Sequence, residues 1–276
     1  MSASKFRSLV NKGWLQDQHG AWPMALLPIL VGFSWAGWSL AQMLLLATWF
    51  TGFLWFSSAA KWFKAKPGSR VRKRLSPAFF TYLGLTLGGA ISLFFYSLFV
   101  SQLQLFIWVP IFAPLIVVSF VASMRGNERA LAARFATVCA ASLMLPVAFG
   151  LESQSFLAWF TQPQWRLIWV VTGAFIWFFG GSVLFVRSLI RGRLLREWAV
   201  SSAIWHLVGA CGFAITWFTG WLGCFPFVFA FLLFTRAVLM PYLQRNGSQF
   251  SAKLIGIEEL IATGLFMVLV FTGFAV

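Results

Sequence analysis

The stretch QHGAWP, from Gln18 to Pro23, ends a basic leader and begins an apolar run that continues to Phe56. Similar runs recur along the 276-residue chain, which is 60% hydrophobic and only 10% charged, too apolar to cover a soluble globule of this size. Lipid cannot satisfy backbone N–H and C=O groups, and the runs lack the alternation of membrane strands. The sequence therefore predicts an all-α, polytopic membrane protein, with residues 1–17 as the leader and residues 18–276 as one transmembrane domain.

We expect about nine transmembrane helices joined by short polar loops. The run from Pro23 to Phe56 is long enough for two of them, and residues 32–39, with two glycines and flanking tryptophans, suit a tight turn between the two. Seven further helices are expected at about 78–98, 105–122, 131–149, 167–187, 199–219, 221–240 and 255–274. An odd number of spans places the two termini on opposite sides of the membrane.

The net charge of +15 comes from basic residues that lie in the loops between apolar runs. This distribution indicates anionic lipid headgroups as partners and not nucleic acid, for which a basic soluble domain is expected. In the nine-helix topology 20 of the 21 Lys and Arg residues fall on the N-terminal side, Arg166 being the exception. Because cytoplasmic loops are enriched in Lys and Arg, we expect a bacterial inner-membrane protein with its N-terminus inside and its C-terminus outside. The leader is then either a short helix on the anionic membrane surface or a flexible basic tail.

The arginines best placed to bind a ligand lie near the inner ends of the sixth and eighth predicted helices. Arg187 and Arg191 are spaced i, i+4 and share one helix face, where like charges repel unless an anion lies between them. A phosphate or carboxylate suits that position, because arginine binds both through paired hydrogen bonds. Arg236 is the third candidate for anion binding. The alternative is a set of side chains that extend to lipid headgroups without a specific ligand.

Four other ionisable residues are candidates for proton handling or for the polar lining of the same cavity: His19, Glu128, His206 and Glu258. Each is expected in the inner leaflet, where an ionisable side chain is costly and needs a partner or a purpose. Glu258 and Glu259 are expected in the first turn of the last helix, with Glu258 favoured as the partner of a buried Arg or His. The alternatives are an interhelical hydrogen bond for His206 and a simple boundary of the leader for His19.

No cofactor is predicted, and the sequence identifies no catalytic residue. Cys139, Cys211 and Cys224 lie in apolar runs without C-x-x-C spacing, which indicates neither disulfides nor a thiolate metal site. With only six acidic residues in the chain, an all-carboxylate Mg²⁺ site is not expected either. Axial ligation of a haem by His19 and His206 is the one cofactor alternative.

Residues 18–28, QHGAWPMALLP, resemble the opening of the YwiC-like family of bacterial membrane proteins. Further similarity lies at residues 127–129, 179–187, 191, 206, 236, 241 and 255–258, so the resemblance extends over nearly the whole chain. It implies an integral membrane protein and brings no biochemical activity with it, because the family has no settled one.

The nine spans, with large loops after helices two, four, six and eight, also resemble the layout of UbiA-type prenyltransferases, and residues 22–32 are similar to their first-helix pattern. Those enzymes hold prenyl diphosphate through Mg²⁺ on aspartate-rich motifs after helices two and six. This chain carries Lys and Arg there, so we do not expect Mg-dependent prenyl transfer. Direct recognition of a phosphorylated lipid by arginine is compatible with the same layout.

The leading hypothesis is a cavity in the cytoplasmic leaflet that binds an amphipathic anion, such as an isoprenoid or phospholipid phosphate. Arg187 and Arg191 would hold the anion, the two histidines would move protons, and the two candidate glutamates would orient the basic groups. The first alternative is a small-molecule or ion transporter, which predicts polar residues at mid-membrane depth in several helices. The second is a non-catalytic assembly or partner-binding protein, in which loop charges matter and buried charges do not.

Overall fold

The computed structural model describes residues 3–100, 103–126, 130–151, 161–193 and 195–274. Within these ranges the chain forms helices and no strand. The helices are α1 Ala3–Asn11, α2 Ala21–Ala36, α3 Leu40–Lys64, α4 Arg70–Phe99, α5 Trp108–Met124, α6 Leu131–Gly150, α7 Pro163–Ile190, α8 Arg196–Phe218, α9 Cys224–Arg245 and α10 Ala252–Thr272. A 3₁₀ helix, Leu103–Ile107, precedes α5. The all-α fold class predicted from the apolar runs is confirmed.

Eight helices in the described ranges, α3 to α10, are long and apolar enough to cross a membrane. A ninth apolar helix, α2, has 16 residues. At 1.5 Å per residue it is about 24 Å long, which is shorter than the ~30 Å hydrocarbon core of a bilayer. The prediction of a polytopic helical membrane protein is therefore confirmed, and the described residues provide eight helices of spanning length, together with the shorter α2, where about nine transmembrane helices were expected.

The last helix begins three residues earlier than its apolar run, because a capping residue sets its end. The Ser251 hydroxyl accepts a hydrogen bond from the backbone N–H of Leu254 at 3.2 Å, and α10 begins at Ala252. Glu258 and Glu259 therefore lie in the second turn of α10. The prediction that placed them in the first turn was wrong, since it took the start of the apolar run as the start of the helix.

The chain divides into two compact units, Met1–Thr172 and Gly173–Val276. In the first unit, α2 packs against α6 through small residues. A Cβ added to Gly32 would lie 2.6 Å from the Leu145 carbonyl oxygen and 2.7 Å from the Ala148 Cβ. Glycine at this position lets the two helix backbones approach each other closely, as is common in membrane helix pairs.

The second unit is built around aromatic side chains. The Phe178 ring stacks on the Phe266 ring with centroids 4.4 Å apart. Between α7 and α8, the Trp177 indole donates a hydrogen bond to the Trp205 carbonyl at 3.1 Å, and the Trp205 indole donates to the Trp177 carbonyl at 2.8 Å. This reciprocal pair fixes the register of α8 against α7. It therefore also sets the depth at which His206 lies.

Candidate functional site

The second unit contains a cluster of one arginine and two glutamates, which we call the ion triad: Arg236 on α9, and Glu258 and Glu259 on α10. The Arg236 Nη1 atom forms an ion pair with Glu258 Oε1 and lies 2.9 Å from Glu259 Oε1. The three side chains are 11%, 30% and 16% exposed, respectively. One guanidinium thus faces two carboxylates in a mostly buried position.

The guanidinium of Arg236 also packs on an aromatic ring from α7. Its Cζ atom lies 4.0 Å from the centroid of the Phe185 ring. Phe185 is itself buried in a small apolar cluster with Leu189, Ala237 and Ile255. A cation above a ring face is attracted by the quadrupole of the ring, and this attraction strengthens away from water. The triad is therefore held by three helices, α7, α9 and α10.

The triad lies well inside the apolar helices rather than at their ends. Arg236 is nine residues before the end of α9 at Arg245, and Glu258 is six residues after the start of α10 at Ala252. At 1.5 Å per residue these distances are roughly 9 to 13 Å along the helix axes. Ionisable groups at such depth in a membrane helix are expensive, and they mark functional sites by default.

Several polar atoms of the triad have no hydrogen-bond partner among the described residues. They are Nε and Nη2 of Arg236 and Oε2 of Glu258. Ser182 on α7 lies beside the Glu259 carboxylate and can donate to it. The cluster therefore has both donor and acceptor capacity left, which a purely structural salt bridge would tend to use up.

His206 on α8 is a buried neighbour of the triad. Its Nδ1 atom lies 2.7 Å from the Ser202 carbonyl oxygen, so Nδ1 carries the proton and donates it. The other edge of the ring faces Gly181 of α7, where an added Cβ would lie 2.8 Å from Nε2. Arg236 is close enough for its positive charge to act on the ring. Polar side chains of α7, α8, α9 and α10 are thus gathered in one part of the second unit.

A different arginine arrangement lies where α7 ends. The Arg187 guanidinium stacks over the Trp198 ring of α8, with Cζ 3.7 Å from the ring centroid. Gly192 packs against the same indole, so close that an added Cβ would overlap the ring. The Gly192 N–H donates to the Arg187 carbonyl at 2.8 Å and ends the helix. Arg187 is half-buried and Arg191, one turn further on, is exposed.

Comparison with known families identifies the N-terminal part of the chain. Residues 15–149 match the family model described as YwiC-like protein. This part of the chain is therefore similar to the YwiC-like family. The match covers just under half of the chain, including the QHGAW stretch and all of α2 to α5. No match was found among curated proteins or among solved structures, so the resemblance to UbiA-type prenyltransferases stays a prediction.

The YwiC-like segment contains two of the residues that the sequence singled out. His19 is exposed, and its ring lies 6.3 Å from the Phe6 ring of the leader. Glu128 lies outside the described residues. The triad and His206 lie beyond the matched segment, in the second unit.

Of the candidate residues, the structure places Arg236, Glu258 and His206 near one another, and Arg187 with Arg191 at the end of α7. Haem ligation by His19 and His206 stays a prediction, and it would require the His206 ring to turn away from Gly181. Within the described ranges no group of three or more His, Cys, Asp or Glu side chains could hold a metal ion.

Sequence reasoning did not select several residues that build these sites. Glu259 was assigned only a helix-end role, and the aromatic partners Phe185 and Trp198 were not selected. Ser182 and Phe185 fall in the stretch 179–187, which was predicted to resemble the YwiC-like family and lies beyond the matched residues 15–149. The sequence carried no signal that could have selected Trp198, because tryptophans near helix ends are common in membrane proteins.

Proposed function

We propose that the protein binds an amphipathic anion, an isoprenoid or phospholipid phosphate, where α7 ends and α8 begins. The observation that carries the proposal is the stacking of Arg187 on Trp198 with Arg191 one turn away. Stacking uses the face of the guanidinium and orients its N–H groups in a defined plane. Two N–H groups held in one plane can donate hydrogen bonds to two oxygen atoms of the same phosphate.

The surroundings suit a ligand with an apolar chain as well as an anionic head. Ile190, Leu195 and Val200 are 41%, 49% and 43% exposed at this end of α7 and α8. In a membrane these side chains meet acyl or prenyl chains, while the arginines meet the head. The ligand class is therefore a lipid phosphate rather than a small soluble anion.

The proposal includes the side of the membrane on which this site lies. The end of α7 adjoins a loop rich in arginine, and such loops are enriched on the cytoplasmic side. We therefore assign the site to the cytoplasmic leaflet of the inner membrane, with the N-terminus inside and the C-terminus outside. Labelling of a single cysteine placed at Lys66, in a variant without Cys139, Cys211 and Cys224, tests this assignment. Labelling from the periplasmic side in intact cells would contradict it.

Native mass spectrometry of the purified protein with its co-purified lipids tests the binding site itself. We expect Arg187→Ala/Arg191→Ala to lose a bound phosphate lipid that the natural protein retains. Arg193→Ala/Arg196→Ala is the matched control, because it removes two charges from the same junction of α7 and α8 and leaves the Trp198 stack in place. Equal lipid loss in both variants, or loss in neither, would contradict a specific site.

A proton-coupled transporter is a second candidate function, and the ion triad favours it. The transporter hypothesis requires polar residues inside several spans. Ser182, His206, Arg236 and Glu259 come from α7, α8, α9 and α10. Two carboxylates and one guanidinium leave an excess negative charge, which a transported proton or cation can neutralise.

Infrared difference spectra between a near-neutral buffer, in which exposed carboxyl groups are ionised, and an alkaline buffer test this second candidate. The natural protein should show a protonated carboxyl band that is absent from Glu259→Gln. Glu197→Gln is the matched control, since Glu197 is exposed in the first turn of α8 and should leave that band unchanged. A band that is the same in all three proteins would exclude proton binding at Glu259.

A further inference from the structure

The leader helix α1 and the start of α4 together line a polar groove in the first unit. Ser4, Arg7, Ser8 and Asn11 lie at spacings of three and four along α1 and so share one helix face. The remaining lining residues are Lys12, directly after α1, and Arg74 of α4. The groove is open to solvent, with a volume of about 420 Å³, and all of its lining residues are exposed.

The leader is attached to the rest of its unit by hydrogen bonds and packing. The Tyr82 hydroxyl of α4 donates to the Trp14 carbonyl at 2.9 Å, and the Lys61 ammonium of α3 donates to the Val10 carbonyl at 3.4 Å. Gly13 has φ +81°, in the left-handed region that favours glycine, and this turn brings it against Leu75 of α4. The groove is therefore a fixed feature of the first unit.

The charged residues that line the groove are all basic. Among the described residues, its lining includes three cations, Arg7, Lys12 and Arg74, and no carboxylate. Like charges brought to one groove repel one another, and an anion between them removes that cost. The Ser8 hydroxyl and the Asn11 amide add hydrogen-bond donors around the same space. Arginine supplies paired N–H groups and lysine a point charge, the combination that proteins use to bind phosphate.

We propose that this groove, which we call the leader groove, is a phosphate-binding site. Arg7 and Arg74 bind the phosphate oxygens from opposite walls, Lys12 adds charge, and Ser8 and Asn11 donate hydrogen bonds. The phosphate group belongs either to an anionic phospholipid headgroup or to a free phosphate. The site is separate from Arg187 and Arg191 in residues and in structural unit, so it goes beyond the function proposed above.

Native mass spectrometry with defined ligands tests the leader groove. The probes are phosphatidylglycerol and inorganic phosphate, added separately and together to delipidated protein. The triple variant R7A/K12A/R74A is expected to weaken phosphatidylglycerol binding by about tenfold or more, since the loss of even one charge-assisted hydrogen bond costs about that factor. The matched control K5A/R70A/K73A removes three exposed cations from the same two segments and none from the groove. It should bind like the natural protein.

The outcomes separate the sources of the phosphate and can overturn the proposal. If inorganic phosphate displaces the lipid, the site recognises the phosphate group alone. If the lipid stays bound in the presence of inorganic phosphate, the site recognises a lipid headgroup in the membrane. A second variant, Ser8→Glu, adds a carboxylate to the groove without removing a cation, and it should weaken binding as well. Equal weakening in the triple variant and its control would mean general surface charge and would overturn the site. Unchanged binding in R7A/K12A/R74A would overturn it too.

The Arg187→Ala/Arg191→Ala variant keeps the leader groove intact, so the two proposals fail independently. If both sites bind lipid, each set of substitutions removes one lipid from the mass spectrum of the natural protein. If only the leader groove binds, the arginine pair at the end of α7 has no effect on the bound lipid.

Discussion

Arg236 and Arg187 lie in the same unit and both stack on an aromatic ring, yet their surroundings differ in charge. The Arg236 guanidinium lies 4.0 Å from the Phe185 centroid, and the Arg187 guanidinium lies 3.7 Å from the Trp198 centroid. Arg236 also faces two carboxylates and is 11% exposed, whereas Arg187 lies one helical turn from another arginine, the exposed Arg191. The two arginines also differ in position: Arg236 lies well inside α9, where a charge has to be neutralised, and Arg187 lies near the end of α7, where headgroups come within reach.

The ion triad and the end of α7 are therefore suited to bind ligands of opposite charge. The triad has an excess of negative charge and is suited to hold a proton or cation. The end of α7 has an excess of positive charge among the described residues and is suited to bind an anion. Substitutions that change the two arginines separately therefore test whether the two regions really differ.

Replacing Arg236 by alanine is expected to have the largest effect, a loss of about 3–5 kcal/mol in the free energy of unfolding. The two glutamates would then remain buried without their cation. Unfolding of the purified protein in mixed micelles with increasing SDS, followed by circular dichroism, measures the change. Arg245→Ala is the control, because Arg245 is exposed at the end of the same helix. An equally small loss in both variants would mean that the triad is hydrated and is not a buried ion cluster.

Gly181→Ala is expected to cost about 1–3 kcal/mol, the usual range for overpacking. The added Cβ would lie 2.8 Å from Nε2 of the buried His206 and would push α8 away from α7. Gly173→Ala on the same helix is the control, since nothing lies within 4 Å of a Cβ there. It should be neutral or slightly stabilising, because alanine favours helix more than glycine does. Thermal unfolding in detergent compares the two, and equal stability would show that His206 is free to move.

A double-mutant cycle on Arg187 and Trp198 is expected to give a coupling energy of about 0.5–2 kcal/mol. Arg187→Ala, Trp198→Ala and the double variant are compared by the same unfolding measurement. Arg193→Ala with Trp198→Ala is the reference cycle and should be additive, because Arg193 is exposed. Additivity in the Arg187 cycle would mean that the stack contributes nothing, and Arg187 would then lose its fixed orientation for an anion.

The helices of this protein could be predicted from the sequence because hydropathy records burial in lipid directly. The relative rotation of those helices could not. α9 and α10 are apolar nearly all round, so their sequences do not indicate which face meets a neighbour. The sequence favoured an Arg or His as the partner of Glu258 and left the choice open. The contact with Arg236, 22 residues away along the chain, depends on a rotation that only the structure provides.

Glu259 shows a second limit of sequence reasoning. Neighbouring residues on a helix point about 100° apart, so a partner for Glu258 is not expected to bind Glu259 as well. In the structure the Arg236 Nη1 atom lies between the two carboxylates and reaches both. The arginine side chain is long enough for its guanidinium to contact both glutamates, although they point in different directions from α10. A residue that looked like a simple charge at a helix end therefore belongs to the site.

The smallest net change is expected from replacing the whole triad at once, with Arg236→Met, Glu258→Met and Glu259→Met in one variant. Buried ion clusters contribute little to stability overall, because desolvation of the charges offsets their attraction, and well-packed apolar side chains of similar size often restore or raise stability. We expect the triple variant to unfold within about 1 kcal/mol of the natural protein, although Arg236→Ala alone is strongly destabilising. Such a result would mean that the triad is not needed for folding, which leaves a functional role as the reason for the charges. A triple variant as unstable as Arg236→Ala would instead make the triad a structural element, and the contrast with Arg187 would then concern packing and not chemistry.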